Sequence, residues 1–224
     1  TAAEASRREL AIRWLGRPMP RWASPCRVRV RPDVRAAGGA TTFSFQRGEA
    51  FGWRMELQGP EHQVLDSILP HEITHTILAC RFRRPLPRWA DEGAATLAES
   101  DGERRRQRGL TRRLLETGRQ LPLPQLLALG EYPAARSGVT TLYAQGASLV
   151  AYLVRQGGHA RFLEFLQTAE QSDWTIAASR HYGKPTLSVL ERDWAAWVRA
   201  GAGVPLVSSS SRQIVVGWRS TRSG

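Results

Sequence analysis

The sequence predicts an α+β fold in which a small N-terminal β-sheet or hairpin packs on a mainly helical domain. Two observations lead to this class. Before Glu61, short segments alternate apolar and polar residues or are rich in aromatic and β-branched residues, which is typical of strands. After Glu61, apolar residues recur at helical spacing through most of the remaining chain.

The N-terminal part contains one helix followed by three candidate strands. Residues 2–15 have helical composition, and Gly16 ends that helix. The alternation in "CRVRVR", which begins at Cys26, indicates a half-buried strand. The segments "TTFSFQ" and "FGWRMEL" are joined by "RGEA" and predict a β-hairpin, with Gly38 and Gly39 in a turn before it.

Helical patterns dominate from Glu61 onward. The first of these segments places His71 and His75 on one face, and Pro70 either begins that helix or kinks a longer one. The segment "PRWADEGAATLAES" opens with Pro87 and predicts a second helix. Further helices are expected at 103–117, 140–156, 159–169, 172–181 and 186–200.

These patterns divide the chain into three parts. Residues 1–60 are the N-terminal helix and β-sheet subdomain, residues 61–203 are the helical subdomain, and residues 204–224 are a Ser-rich tail or linker. The length of 224 residues suits one domain, or a domain with a small subdomain. The apolar runs are far shorter than a membrane span, so we expect a soluble protein.

The charge of the chain bears on its partners. The formal net charge of +12 suggests, taken alone, nucleic acid or an anionic surface. However, Lys184 is the only lysine, and this arginine bias together with abundant Ala, Gly and Pro indicates GC-rich coding. The densest basic run, 103–113, is more simply a solvated helix face. Nucleic acid is therefore not the favoured partner, and binding to nucleic acid or an anionic surface stays an alternative function.

The motif "HEITH" predicts a metal site. Residues four apart share a helix face, so His71 and His75 can direct two imidazoles at one ion. Glu72 lies beside them, where it suits a general base that acts on the attacking water. Zn²⁺ accepts such ligands and needs a third from the protein, for which Glu92 on the next helix is the candidate. Asp91 is turned away by one residue of helical rotation.

The bare H-E-x-x-H pattern also arises by chance, but the second segment strengthens it. Together "HEITH" and "PRWADEGAATLAE" resemble the gluzincin zinc peptidases, the thermolysin-like clan. The aminopeptidase N type, with its W-L-N-E-G-x-A motif, is closer, and the bacterial peptidase MA-like proteins are closer still. The resemblance covers residues 60–170 and implies a zincin-type catalytic domain. It also implies Zn²⁺ held by His71, His75 and Glu92, with Glu72 as the general base.

Other residues carry parts of the same resemblance. The segment "LYAQGASLVAYL" resembles the aminopeptidase Y-E-K-G segment and the apolar helix after it, which implies that Tyr143 assists at the transition state. Without the resemblance, an ordinary tyrosine on a core helix would explain this position. Asp91 stands where the aminopeptidases have Asn. Glu56 matches only part of the G-x-M-E-N motif that binds a free amine, and is more simply an ordinary strand residue.

The surroundings of the metal are less strongly encoded. Metal-binding histidines usually donate their second ring N–H to a carboxylate or carbonyl. Thr96 and Glu99 follow Glu92 on its helix face and could accept it, although Glu99 could equally face solvent. In this clan a strand edge beside the zinc helix pairs with bound peptide, and "FGWRMELQ" is the local candidate. His62 and His159 are expected at the surface.

The sequence therefore predicts a zinc-dependent peptidase that acts on a peptide or protein substrate, with Glu72 as its general base. The resemblance further implies an exported, extracytoplasmic bacterial protein. Cys26 and Cys80 permit this, either as one disulfide or as two buried free thiols. A degenerate protein that only binds zinc is an alternative, against which the intact Glu72 argues. The sequence predicts neither the cleavage specificity nor the oligomeric state.

Overall fold

The structure is a computed structural model that describes residues 1–22, 24–33 and 35–201. This part of the chain has an α+β fold that is mainly helical, as the sequence predicts, with a three-stranded sheet. The strands are β1 (Arg27–Pro32), β2 (Gly38–Gln46) and β3 (Glu49–Gly59). The helices are α1 (Ala2–Leu15), α2 (Glu61–Gln63), α3 (Leu69–Phe82), α4 (Arg88–Leu97), α5 (Asp101–Glu116), α6 (Leu123–Leu127), α7 (Arg136–Gln171), α8 (Trp174–Tyr182) and α9 (Leu187–Arg199). The tail expected at 204–224 lies outside the described residues.

The strands of the sheet have the order β1-β3-β2, so β3 is its central strand. β2 and β3 form the expected antiparallel hairpin, in which Arg47 and Gly48 both have positive φ, as tight hairpin turns require. β1 pairs with β3 in parallel. Two expectations are wrong. Gly38 and Gly39 lie within β2 and form no turn. β1, which was expected to be half-buried, is an edge strand that is exposed along its whole length.

α3 carries "HEITH" and continues a helical segment that begins with α2. A turn of π-helix, Val64–Ile68, joins α2 to α3. Pro70 lies in the first turn of α3 and, because it lacks an N–H, donates no hydrogen bond to the π turn before it. Pro70 therefore lies inside a longer helical segment, and the wider π turn comes directly before it.

α4 crosses α7 at very short range. A β-carbon added to Gly93 would lie 2.5 Å from the carbonyl oxygen of Gly146, and one added to Gly146 would lie 2.6 Å from the carbonyl oxygen of Trp89. Glycine is thus required on both helices at this crossing. Trp89 is fully buried and makes edge-to-face contacts with Phe162 and Trp174. This packing fixes the position of α4 in the core.

The remaining helices follow the sequence prediction with two differences. The helices expected at 140–156 and 159–169 are one element, α7, which has a kink at Gly158 with φ 78 and ψ 172. The short helix α6 was not predicted. None of the described helices combines the length and the apolar character needed to cross a bilayer. Cys26 and Cys80 are free and half-buried.

The basic run 103–113 lies on α5. Three of its arginines form ion pairs with acidic residues of the same helix: Arg104 with Asp101, Arg106 with Glu103 and Arg112 with Glu116. Such pairs, three or four residues apart, are typical of a solvated helix surface. The structure thus supports the simpler interpretation of this run.

Candidate metal centre

Three side chains converge where α3 faces α4. His71 and His75 lie one helical turn apart, with ring centroids 4.9 Å from each other. Glu92 reaches them from α4, and its Oε2 lies 3.3 Å from Nε2 of His71 and 3.8 Å from Nε2 of His75. The three ligand atoms all lie within 4.8 Å of one another. The predicted ligand set is therefore brought together.

Two carboxylates orient the imidazoles. Nδ1 of His71 lies 2.6 Å from Oε1 of Glu99, and Nδ1 of His75 lies 2.9 Å from Oδ1 of Asp91. When each Nδ1–H donates to its carboxylate, the Nε2 lone pairs are free to bind an ion at the common point. Of the two acceptors expected for an imidazole, Glu99 makes the contact, whereas the buried hydroxyl of Thr96 has no hydrogen-bond partner among the described residues. Asp91 is not one of the three converging side chains, but it is not turned away from them as expected, because its carboxylate contacts His75.

Glu92 has one oxygen that needs a partner. Its Oε1 accepts a hydrogen bond from the hydroxyl of Tyr132, whereas its Oε2 is buried and has no hydrogen-bond partner among the described residues. A buried carboxylate oxygen in this position needs a positive charge beside it, which either a protonated imidazole or a bound cation can supply. Tetrahedral Zn²⁺ with bonds of about 2.05 Å would hold its ligand atoms about 3.3 Å apart. The spacing and the His, His, Glu donor set both fit this ion.

The charges of the group are strongly coupled. Burial lowers the pKa of His71, but the nearby carboxylates of Glu92 and Glu99 outweigh it and raise that pKa to about 10. Burial also lowers the pKa of His75, but the charge of Asp91 outweighs burial and raises that pKa above its usual value. Burial raises the pKa of Glu92, yet the two histidines lower it to about 2. A metal ion must therefore displace protons from the imidazoles when it binds.

Glu72 lies beside the ligand set and is held by β2. Its Oε2 accepts a hydrogen bond of 2.6 Å from the Thr41 hydroxyl. Its side chain also packs on Gly39, where an added β-carbon would lie 2.6 Å from Oε1 of Glu72. Only 4% of Glu72 is exposed. The strand thus confines this carboxylate next to the ligands, and the contacts with Gly39 and Thr41 were not predicted.

Two tyrosines, Tyr132 and Tyr143, line the cleft together with His71, His75 and Glu92. Tyr143 lies in the second turn of α7, and its ring is nearly parallel to that of His71, with centroids 6.4 Å apart. Burial raises the pKa of Tyr143, and the charge of Glu92 raises it further, so the phenol stays protonated and can donate. Tyr132, in the loop between α6 and α7, donates to Glu92 and was not singled out from the sequence.

A cleft of about 740 Å³ joins these groups. Its lining includes the three ligands, Glu72 and both tyrosines, together with residues of β2 and the start of α5. It is large enough for a short segment of peptide. One wall is β2, which pairs with β3 on one side only in the described part of the chain.

The chain has no match among protein-family models, curated proteins or solved structures. The chemistry of the cleft therefore has to be inferred from its own residues.

Several sequence-based expectations fall outside the cleft. The segment "FGWRMELQ" is not an edge beside the metal centre, because β3 is paired on both sides, and the edge at the cleft is β2. Glu56 is exposed, and its Oε2 lies 3.8 Å from Nη2 of Arg31 on the neighbouring strand, so it is an ordinary strand residue. His159 is half-buried against the ring of Trp14, with centroids 4.6 Å apart, so its expected surface position is wrong.

Proposed function

We propose that the protein is a zinc-dependent peptidase of the gluzincin type, which hydrolyses peptide bonds in a peptide or protein substrate. The observation that carries this proposal is the meeting of His71, His75 and Glu92 at one point with Glu72 beside them. A purely structural metal site has no need of a confined, buried carboxylate that does not bind the ion. That arrangement supports catalysis over zinc storage.

Glu72 is the general base of the proposed reaction. Zn²⁺, when bound, would polarise the scissile carbonyl and make water a stronger nucleophile. Glu72 accepts a proton from the attacking water and then delivers it to the leaving amine. The hydrogen bond from Thr41 holds Oε2 of Glu72, and Oε1 packs beside Gly39 of the same strand. β2 therefore holds the base in one orientation.

Tyr143 donates to the carbonyl oxygen of the substrate. Negative charge grows on that oxygen as water attacks, so a phenol O–H aimed at it helps the transition state more than the ground state. The position of Tyr143 in the cleft, above His71, supports this role. Tyr132 instead holds Glu92 by its hydrogen bond and so positions a ligand.

The open edge of β2 is the proposed binding surface for the substrate backbone. An extended peptide that adds to a sheet edge gains main-chain hydrogen bonds along its length. Residues 37–41 line the cleft, so a peptide paired with them would pass beside Glu72. An extracytoplasmic location belongs to the same proposal and rests on the resemblance to gluzincins.

Metal content and hydrolysis, measured on the same preparation, test the proposal. The purified protein should contain about one zinc per chain and cleave a pool of random peptides. A chelator should abolish cleavage and added Zn²⁺ should restore it. Zinc binding with no cleavage of any peptide would leave the degenerate zinc-binding alternative. Failure to bind zinc would reject the proposal.

A further inference from the structure

Arg88 stands at the rim of the metal cleft. It is the first residue of α4, and its side chain lines the cleft together with the ligand set. Its guanidinium carbon lies 4.5 Å from the centre of the Tyr132 ring, a cation–π contact. The hydroxyl of that same ring donates to Glu92. One phenol therefore separates the charge of Arg88 from the metal ligands.

The guanidinium of Arg88 has no ionic partner within the described residues. It makes no side-chain hydrogen bond there, and its Nε is buried without an acceptor. The other arginine of the cleft differs, because Arg106 forms a two-pronged hydrogen bond with Glu103. An unpaired, partly buried arginine is costly unless an acceptor reaches it.

The acidic groups of the cleft are already engaged. Each has a donor or a histidine as its partner: Glu72 has Thr41, Asp91 has His75, Glu92 has Tyr132, Glu99 has His71 and Glu103 has Arg106. No described carboxylate of the cleft pairs with Arg88, which leaves its guanidinium available to an acceptor on a molecule that enters the cleft.

We propose that Arg88 binds a carboxylate of the substrate, so that the protein prefers peptides carrying a negative charge close to the scissile bond. This inference rests on the proposed peptidase function. The planar guanidinium presents paired N–H donors that match a carboxylate, and the Tyr132 ring holds its plane in place. The guanidinium carbon lies 4.5 Å from the centre of this ring, whose hydroxyl donates to Glu92, so Arg88 stands only a few residues of extended peptide, at ~3.3 Å each, from the proposed metal ligands. The carboxylate thus belongs to a residue near the cleaved bond.

Two sources offer this group. One is the free C-terminus of a short peptide, in which case the protein removes residues from a C-terminal end. The other is an Asp or Glu side chain within a longer substrate. Both present the same two oxygens to the guanidinium, and matched substrates separate them.

Cleavage of paired peptide pools tests the proposal. The first pair is a pool of random hexapeptides with a free C-terminal acid and the same pool as C-terminal amides. The second pair is two amidated pools with one position fixed as Glu or as Gln. One of these pairs should show a preference of roughly tenfold to a hundredfold for the charged member, the range of a hydrogen bond to a charged group. Arg88→Met should remove that preference.

Arg81→Met is the matched control. Arg81 also stacks on an aromatic ring, that of Phe82 at 5.4 Å, but it lies outside the cleft. This variant should keep the preference of the parent protein. Equal cleavage within both pairs by the parent, or a preference that survives in Arg88→Met, would overturn the role of Arg88.

Binding separates this inference from the proposed function. Immobilised Glu72→Gln protein, with Arg88 intact or changed to Met, is exposed to the same four pools, and retained peptides are quantified by mass spectrometry. Charge-selective retention that needs Arg88, with no cleavage by the parent protein, would support Arg88 and reject the peptidase. Cleavage by the parent protein without any preference for charged peptides would support the peptidase and reject the role of Arg88. Retention with no charge preference in either protein would overturn the role of Arg88 regardless of activity.

Discussion

Gly93 of α4 and Gly146 of α7 face each other where the two helices cross, and neither position has room for a β-carbon. The crossing brings Glu92, the neighbour of Gly93, to the same cleft as Tyr143, one turn before Gly146. Both glycines belong to segments that also carry side chains of the candidate site, "WADEGAA" and "YAQG". These glycines therefore set the distance between the two sides of the metal centre.

Gly93→Ala should destabilise the protein and weaken zinc binding together. The new methyl group would meet the Gly146 carbonyl oxygen at 2.5 Å, so α4 must move away from α7. Overpacking of this kind costs about 1–3 kcal/mol. Denaturant unfolding and zinc titration measure the two effects.

Gly109→Ala is the control for that experiment. Gly109 lies within α5 and has open space around its α-carbon. Replacing an unconstrained helical glycine by alanine stabilises by about 0.5–1 kcal/mol. A Gly93→Ala protein with unchanged unfolding midpoint and zinc affinity would contradict the close crossing.

Asp91→Asn and Glu99→Gln should each weaken zinc binding about tenfold to a hundredfold. Each change removes the negative charge that accepts from an imidazole Nδ1–H and makes its Nε2 a better ligand. Competition with a chromophoric chelator measures the affinity. Glu116→Gln, on the exposed side of α5, should leave it unchanged. Parent affinity in both cleft variants would mean that the two carboxylates do not support the ligands.

Tyr143→Phe should lower kcat about a hundredfold to a thousandfold with zinc content and fold unchanged. The loss follows from removing one donor to the developing oxyanion. Steady-state kinetics on a cleaved peptide and circular dichroism measure turnover and fold. Tyr182→Phe is a suitable control, because Tyr182 lies on α8 and does not line the cleft. A parent kcat in Tyr143→Phe would make this tyrosine a packing residue.

His159 should make stability depend on pH. Burial, and then the charge of Arg13, lower its pKa to about 4 from the model-peptide value of 6.5. The unfolded chain therefore binds a proton at a higher pH than the folded protein does. The stability that neutral, buried His159 contributes to the folded state is fully present above pH 6.5 and is lost as the pH falls through about 4. This loss lowers the free energy of unfolding by at most about 3 kcal/mol.

The pH profile of urea unfolding tests this expectation. The difference in unfolding free energy between the parent and His159→Gln should change between pH 6.5 and pH 4. A constant difference between parent and His159→Gln would show that His159 titrates alike in the folded and unfolded states.

Local spacing was enough to predict that His71 and His75 share a helix face, but not the contacts that Asp91 and Tyr132 make with this group. The four-residue interval between His71 and His75 dictates a shared helix face whatever surrounds it. The contact of Asp91 with His75 depends on the angle at which α4 crosses α3, which no local pattern encodes. Tyr132 lies in a loop with no periodicity, so only the folded chain brings it to Glu92.

The sheet shows the same limit. The hairpin was predicted because its turn and strands are local, whereas the central place of β3 depends on pairing with β1, a contact distant in sequence. The hydrogen bond from Thr41 to Glu72 likewise joins residues 31 positions apart. Of the contacts at the site that were not predicted, only that of Asp91 had a signal in the sequence, because Asp91 directly precedes Glu92.

The turnover of Glu72→Gln, compared with the parent at equal zinc content, tests the central claim most directly. Glutamine keeps the shape and the hydrogen bond from Thr41 but cannot take a proton from water. Zinc content should stay at about one per chain, and hydrolysis should fall about a hundredfold to ten-thousandfold, the range of general-base catalysis. Zinc-loaded Glu72→Gln that cleaves peptide at the parent rate would contradict the account.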